Sequence, residues 1–315
     1  MALTTTSSLP APLQATFNMR LLPWKQPNLI MKLAADYYRM PAEGGTTLRL
    51  RRYTKLVPPV VPLGNTGVTG PSQNLSAVDI DAQMSFYATH VDINEQVTLQ
   101  SQDRPLNEAV KLLGQAMREA EDQLTRDVLA ATAGFINCVD GVNGDNPTEI
   151  TRSDINTVIQ ALLGNDAYTI MDVVEAENKF GTAPTRPSYL VYSHSNMSSS
   201  LENVDGFINT ANYPSQANVN SSEYGNVAYG RFFISSKGSV IPGASANGND
   251  VYNNIFVGLH SYGCIEQDQY SAQFIYRPAI FSGPEALNST AAVKFAEVSR
   301  VLNDAWIVLL RATIA

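Results

Sequence analysis

The sequence predicts an α+β fold organised around a long two-stranded arm, and three observations carry that prediction. Apolar and polar residues alternate strictly from Val78 to Ala88. Apolar residues recur at helical spacing from Leu106 to Ala131. Strand-like runs then gather at 290–300 and 306–314, split by Asn303 and Asp304. Period two marks a strand with one apolar face, and spacings of three and four mark one buried stripe on a helix.

In chain order, residues 1–43 read as an N-terminal arm. Its Ser/Thr/Pro-rich start should be extended, and the near-3.6 apolar spacing of residues 27–38 predicts one helical piece. Residues 44–102 form the hairpin. Leu48 and Leu50 alternate with Arg49 and Arg51, opposite the Val78 strand, whose other face carries Asp79 and Asp81. Pairing Arg49 with Asp81 and Arg51 with Asp79 sets Leu48 against Ala82 and Leu50 against Ile80, so charge and burial select one register. Between the strands, 57–71 is rich in proline and glycine, which deny ladder donors and permit turns. Its apolar Val57, Val60, Val61 and Leu63 would be costly to leave in water. An isolated hairpin is marginal, so the arm must lie on its own body or on another copy of the chain.

Residues 103–149 open with Asp103 as a helix cap and Pro105 in the first turn, then a helix to about Ala133, roughly 45 Å long. Residues 150–270 form an inserted body with helices near 153–163 and 170–180. Strands follow near 188–192, 231–236, 254–259 and 263–267, with a loop rich in Asn, Ser and Tyr at 196–230. Residues 271–315 return to the helix-bearing domain. No internal repeat emerges.

With 315 residues, 44% hydrophobic and 16% charged, the chain is a folded protein poor in charge. The net charge of −8 is split: residues 1–60 carry +6 and residues 61–315 carry −14. A basic leading segment on an acidic body suits head-to-tail docking of copies. Cys138 and Cys264 are too few for a secreted disulfide framework and are expected to be buried, unpaired thiols. Neither a signal peptide nor an apolar run of membrane-spanning length is present.

Catalytic chemistry finds no foothold in the sequence. His90, His194 and His260 lack metal-ligand spacing, and His90 reads as an interior or interface histidine. Ser193, His194 and Ser195 are adjacent in sequence, whereas a nucleophile and its base must pair in space with a third orienting group. Phosphate loops and dinucleotide fingerprints are absent. Asp79/Asp81 and Asp103/Glu108 read as solvated or ion-paired faces. The three arginines lack the interleaved aromatics of a nucleic-acid platform. The chain is therefore expected to be no enzyme and to hold no cofactor or metal.

The order of basic arm, long hairpin with a Pro/Gly tip, long helix, inserted loop-rich body and returning strands resembles the major capsid protein of tailed bacteriophages, the Hong Kong 97-type fold. Residues 44–56 (Gly-Gly-Thr-Thr-Leu-Arg-Leu-Arg-Arg-Tyr-Thr-Lys-Leu) and the stretch 90–129 look most like the N-four-like subgroup. The resemblance is good over about 30–135 and architectural beyond. It implies that 44–102 is an extended E-loop, 103–149 with 271–315 a P-domain with a spine helix, and 150–270 an axial A-domain. It also implies self-assembly into hexamers and pentamers of an icosahedral head enclosing double-stranded DNA without reading its sequence. Portal, scaffolding and decoration proteins would be partners, and assembly would take place in the host cytoplasm. Arg49, Arg51, Arg52, Val60, Val61, Leu63, Asp79 and Asp81 are the assembly-interface candidates. Some members of the fold crosslink through an E-loop lysine; here 56–110 contain no lysine and Lys55 lies at the arm's base. An encapsulin-like compartment shell shares the fold, and a carbohydrate-binding β-rich surface protein is the alternative from another class.

Overall fold

The computed structural model describes residues 26–41, 43–60, 72–100, 105–132, 134–170, 187–213, 219–268, 272–278 and 287–314. Strands β1 (Asp36–Met40), β2 (Thr47–Tyr53), β3 (Ala77–Gln83) and β4 (Ser85–Asn94) lead into helices α1 (Glu95–Gln100) and α2 (Pro105–Ala130). Then come β5 (Phe135–Asn137), α3 (Arg152–Gly164), β6 (Tyr189–His194), α4 (Ser198–Glu202), β7 (Ile208–Asn209), β8 (Glu223–Val227) and β9 (Gly230–Ser235). The last strands are β10 (Val240–Ile241), β11 (Val251–Val257), β12 (Tyr262–Gln267), β13 (Gln273–Arg277), β14 (Asn288–Val301) and β15 (Ile307–Ala312). The mixture is α+β, as the sequence predicts.

Two main sheets form. The first runs β1-β12-β14-β13, with β4 along the other side of β14; the second runs β5-β15-β11-β6-β9-β8-β7, with β10 on β11. The second sheet is built on strands buried along most or all of their length. Every residue of β11 (Val-Tyr-Asn-Asn-Ile-Phe-Val) is buried, and β6 is buried from Tyr189 to Ser193. Strands covered on both faces read as continuous apolar runs rather than as alternations. α3 closes one side with Ile155, Val158, Ile159 and Leu162. Thr151 caps that helix, its hydroxyl oxygen accepting from the Asp154 amide.

Sheet membership does not follow the sequence boundary drawn at 270. β12 pairs with β1 and β14 in the first sheet, while β15 lies between β5 and β11 in the second. Strand pairing is a long-range choice, which local patterns do not encode.

α2 is 26 residues long, about 39 Å at 1.5 Å per residue. Asp103, the expected cap, lies outside the described residues. The helix sinks Leu113 as expected, but buries Ala109 rather than Val110, and in its second half the most buried positions include Asp122 and Thr125 instead of Leu124 and Val128. Thr125 Oγ1 lies 2.9 Å from Ser299 Oγ, and Asp122 Oδ1 accepts the Met31 amide at 2.8 Å.

That last contact explains a correction. Residues 27–38 form no helix: a turn at Met31–Ala34 is followed by β1, parallel to β12. Ile30 and Met31 are fully buried in a cluster with Leu129, Leu190, Tyr192, Phe233, Ile255, Tyr262 and Leu309. Side chains of the body satisfy the backbone that a helix would have satisfied internally. Tyr262 donates to the Met31 carbonyl at 2.7 Å, Ser235 donates to the Asn28 carbonyl at 2.6 Å, and Tyr192 accepts the Ala34 amide at 3.2 Å. Lys32 Nζ lies 2.7 Å from Glu297 and 3.1 Å from Glu121. Burial disfavours the Lys32 charge, yet Glu297 and Glu121 more than offset this and hold its pKa above the lysine range. The segment is a strap tying α2 and the first sheet to the second.

Cys138 and Cys264 are both buried and unpaired, and burial pushes both thiols up in pKa. The helix expected at 170–180 falls outside the described residues apart from Ile170, whose amide donates to Ser188. Among the described residues no helix is long and apolar enough to cross a membrane, and no cluster of three potential metal-binding side chains occurs.

Candidate assembly interface

β2 and β3 pair antiparallel with Arg49 opposite Asp81, Arg51 opposite Asp79, Leu48 opposite Ala82 and Leu50 opposite Ile80. This is the register that charge and burial select in the sequence. Both arginines bind their partners with two parallel hydrogen bonds. Arg49 Nε and Nη2 donate to Asp81 at 2.6 and 2.9 Å; Arg51 Nε and Nη2 donate to Asp79 at 2.7 and 3.0 Å. These hydrogen bonds, with the Coulomb attraction beside them, raise the pKa of each arginine and lower that of each aspartate. The pairs are open to water and line one face as a charged ladder.

The other face anchors the base of the hairpin to its own chain. Ala82, Leu48, Leu50 and Met84 pack on Met40, Ile265, Tyr38 and Val298 of the first sheet. Beyond Met84 the alternation changes its meaning. The extended chain leaves β2 as partner and joins β14, with Met84 N donating to the Thr46 carbonyl. Phe86 on the formerly buried side is 66% exposed, and Tyr87 stacks on Phe295. The single inward face expected from Val78 to Ala88 therefore holds only as far as Met84, because the sheet partner switches there. His90 follows the outer face and is exposed, not interior.

Towards the tip, Thr54 bonds Ser76 through backbone and side chain. Gln73 then serves as a rung where prolines cannot. Its Oε1 accepts the Val57 amide at 2.8 Å and its Nε2 donates to the Val57 carbonyl at 2.7 Å. Leu56, Val57, Leu75 and Val60 are exposed, Val60 at 82%. Val61 and Leu63 lie outside the described residues. Arg52 sits opposite Val78 beside a groove of about 330 Å³ shared with Asp36, Tyr38, His260 and Trp306. Lys55, from the same basic run, reaches Asp166 at 2.9 Å.

The structure thus brings Arg49, Arg51, Asp79 and Asp81 together, with Arg52 beside them and Val60 farther out on the arm. Sequence reasoning missed Gln73 and the Lys55–Asp166 contact; an isolated glutamine and a single lysine carry no pattern that would flag them. The adjacent Ser193 and His194 serve local structure. Ser193 Oγ donates to Asn254 Oδ1 at 2.7 Å, and His194 Nδ1 accepts the Asn196 amide.

No protein-family model matches the chain, and no curated protein matches it in sequence. Solved structures match along its whole length. The capsid of Ralstonia phage GP4 superposes with a TM-score of 0.69 at 12% identity, covering 99% of this chain and 98% of that one. The cyanophage Pam1 capsid gives 0.69 at 13% identity, covering 99% and 100%. The capsid of cyanophage P-SCSP1u gives 0.64 at 12% identity, covering 96% and 94%. The chain has the fold found in these phage capsids.

Proposed function

We propose that this chain is the major capsid protein of a tailed bacteriophage, of the Hong Kong 97 type and nearest the N-four-like subgroup, whose copies close into the head shell around the genome. The carrying observation is that entire chains from phage capsids, with neither partner left over by more than a few per cent, align with this one end to end.

The arm supports the same reading. Its base is fixed by apolar packing on its own body, whereas its outer part presents Leu56, Val57, Val60 and Leu75 to solvent. Covering ~300 Å² of that apolar surface on another copy would contribute roughly 7 kcal/mol of gross transfer free energy, before ordering costs. In this reading the hairpin is the E-loop, α2 is the spine of the P-domain, and the second sheet forms the A-domain near the capsomere centre. Lys55 is engaged by Asp166 at the arm's root, and 56–110 hold no lysine, so cohesion between copies is noncovalent. The acidic body, −14 over residues 61–315, disfavours nonspecific capture of nucleic-acid phosphates.

Purified protein concentrated with a crowding agent should show rings of five and six copies or closed shells in negative stain. A species that stays monomeric by analytical ultracentrifugation under the same conditions would overturn the assignment.

A further inference from the structure

Two loops that meet beside the second sheet each carry an Asn-Gly pair, Asn143-Gly144 and Asn247-Gly248, and all four residues are exposed. Both glycines hold positive φ, 72° and 79°. After asparagine, a glycine leaves its backbone nitrogen open to approach the side-chain carboxamide, because no Cβ stands in the way. Sequence alone ranks the two pairs equally.

The structure separates them. Asn143 Oδ1 accepts the Asp145 amide at 3.2 Å, which folds the carboxamide back over the Gly144 peptide. That N–H points at the oxygen that gains negative charge when Cγ is attacked. Asn143 Nδ2 donates to Thr313 Oγ1 at 2.8 Å and to the Ile314 carbonyl at 3.4 Å, so the group is held in orientation. Among the described residues the Gly144 amide makes no hydrogen bond. Asn247 shows the reverse. The Gly248 amide is engaged by the Ser245 carbonyl at 3.1 Å, and among the described residues no donor reaches Asn247 Oδ1. The Asp145 carboxylate accepts the Asn247 amide at 3.1 Å and follows Gly144 in the chain, so its charge bears on both pairs.

We propose that Asn143 is a site of spontaneous deamidation that unpins residues 313–314 as the protein ages, and that Asn247 is shielded. Hydroxide takes the Gly144 amide proton and the nitrogen bonds to Asn143 Cγ; the Cγ–Nδ2 bond breaks, and Nδ2 leaves as ammonia with a proton from water. Water then opens the cyclic imide at either carbonyl, leaving aspartate or isoaspartate. One water enters, one ammonia leaves, and nothing is oxidised. Where Nδ2 stood, the new carboxylate meets only acceptors. The Thr313 hydroxyl already donates to the Pro147 carbonyl at 3.0 Å, and Ile314 offers a carbonyl. The tie from this loop to the residues just past β15 is lost.

Purified protein incubated in mildly alkaline buffer and mapped by peptide mass should lose the amide at Asn143 roughly tenfold faster than at Asn247, since the Gly248 amide must first give up a hydrogen bond. In urea, with both pairs unfolded, the rates should converge. Equal rates in the folded protein, faster loss at Asn247, or a ratio that survives unfolding would overturn the assignment. Asn143→Asp supplies the aged state directly and reports the consequence. The Thr313 amide bonds the Thr148 carbonyl at 3.0 Å, and hydrogen exchange of the peptide carrying it should be faster in this variant than in the parent. Unchanged exchange would overturn the unpinning. Both measurements read the subunit alone, so neither depends on shell closure.

Discussion

The strap at residues 26–40 and the hairpin arm at 47–83 are neighbours in sequence and both carry basic side chains, yet they use them in opposite ways. Lys32 holds two carboxylates of its own body, Glu297 being only 4% exposed, and its segment is threaded through the core. Arg49 and Arg51 bind their partners in open water on an arm whose described outer residues Leu56, Val57, Val60 and Leu75 are exposed. Four of the eight cations in residues 1–60, Lys32, Arg49, Arg51 and Lys55, are thus engaged within the subunit, on Glu121, Glu297, Asp81, Asp79 and Asp166. The docking of residues 1–60 across acidic neighbours, which the charge split suggests, does not describe the strap. Burial, not charge, separates a region that stabilises the subunit from one free to stabilise an assembly.

The contrast breaks first if the arm proves necessary for folding. Deleting residues 58–70 should leave the thermal unfolding of the subunit unchanged while abolishing shells in micrographs; normal particles, or an unfolded subunit, would remove the distinction. Next, Lys32→Met leaves buried Glu297 without its cation. The cost should be about 3–5 kcal/mol, on the order of 10 °C in Tm by calorimetry, and adding Glu297→Gln should recover part of it. A Tm within experimental error of the parent would show the strap to be as loosely held as the arm.

A smaller effect sharpens the strap's side of the comparison. Burial pushes Asp122 up to about 6 against the pull of the Met31 amide and of Lys32. A carboxyl whose folded pKa exceeds its unfolded value of about 3.9 holds its proton more tightly in the folded state. Its contribution is therefore full below pH ~4 and is lost as pH rises to about 6, by roughly 3 kcal/mol at most. Burial also lifts Glu297, to about 7, so stability measured by denaturant titration should fall with pH in the parent and less steeply between pH ~4 and 6 in Asp122→Asn; parallel slopes would assign the dependence to Glu297 alone. The smallest effect belongs to the arm: Arg49→Ala or Arg51→Ala should barely move Tm, because exposed ion pairs contribute little. A loss like that of Lys32→Met would erase the contrast.

Much of this architecture is legible in the sequence because the elements concerned are local. The hairpin register follows from alternation plus complementary charge, and α3, β6, β9, β11 and β14 lie within a few residues of where periodicity puts them. What sequence does not reveal depends on a distant partner. Residues 27–38 have helical spacing, but Asp122, Tyr192, Ser235 and Tyr262 outcompete the helix for their backbone. Phe86 continues an apolar face and still ends in water, because the chain changes neighbour at Met84. Of the candidate site, the charged ladder is visible in advance. The rung made by Gln73 is not, since its meaning depends on Val57 lying across the arm.

The placement of β14 and β15 has a temporal consequence. β14 is the strand that β4, β12 and β13 all join, and β15 links β5 to β11, so the first sheet gains its centre, and the second its β5 edge, from the last strands translated among the described residues. On the ribosome the first sheet lacks its central strand until residues 288–301 emerge, whereas the second lacks only the junction of β5 with β11 until residues 307–312 follow. Such non-local closure folds slowly. The sheet that seats the base of the arm is therefore without its centre until late, so the arm gains its footing only when the chain is nearly finished.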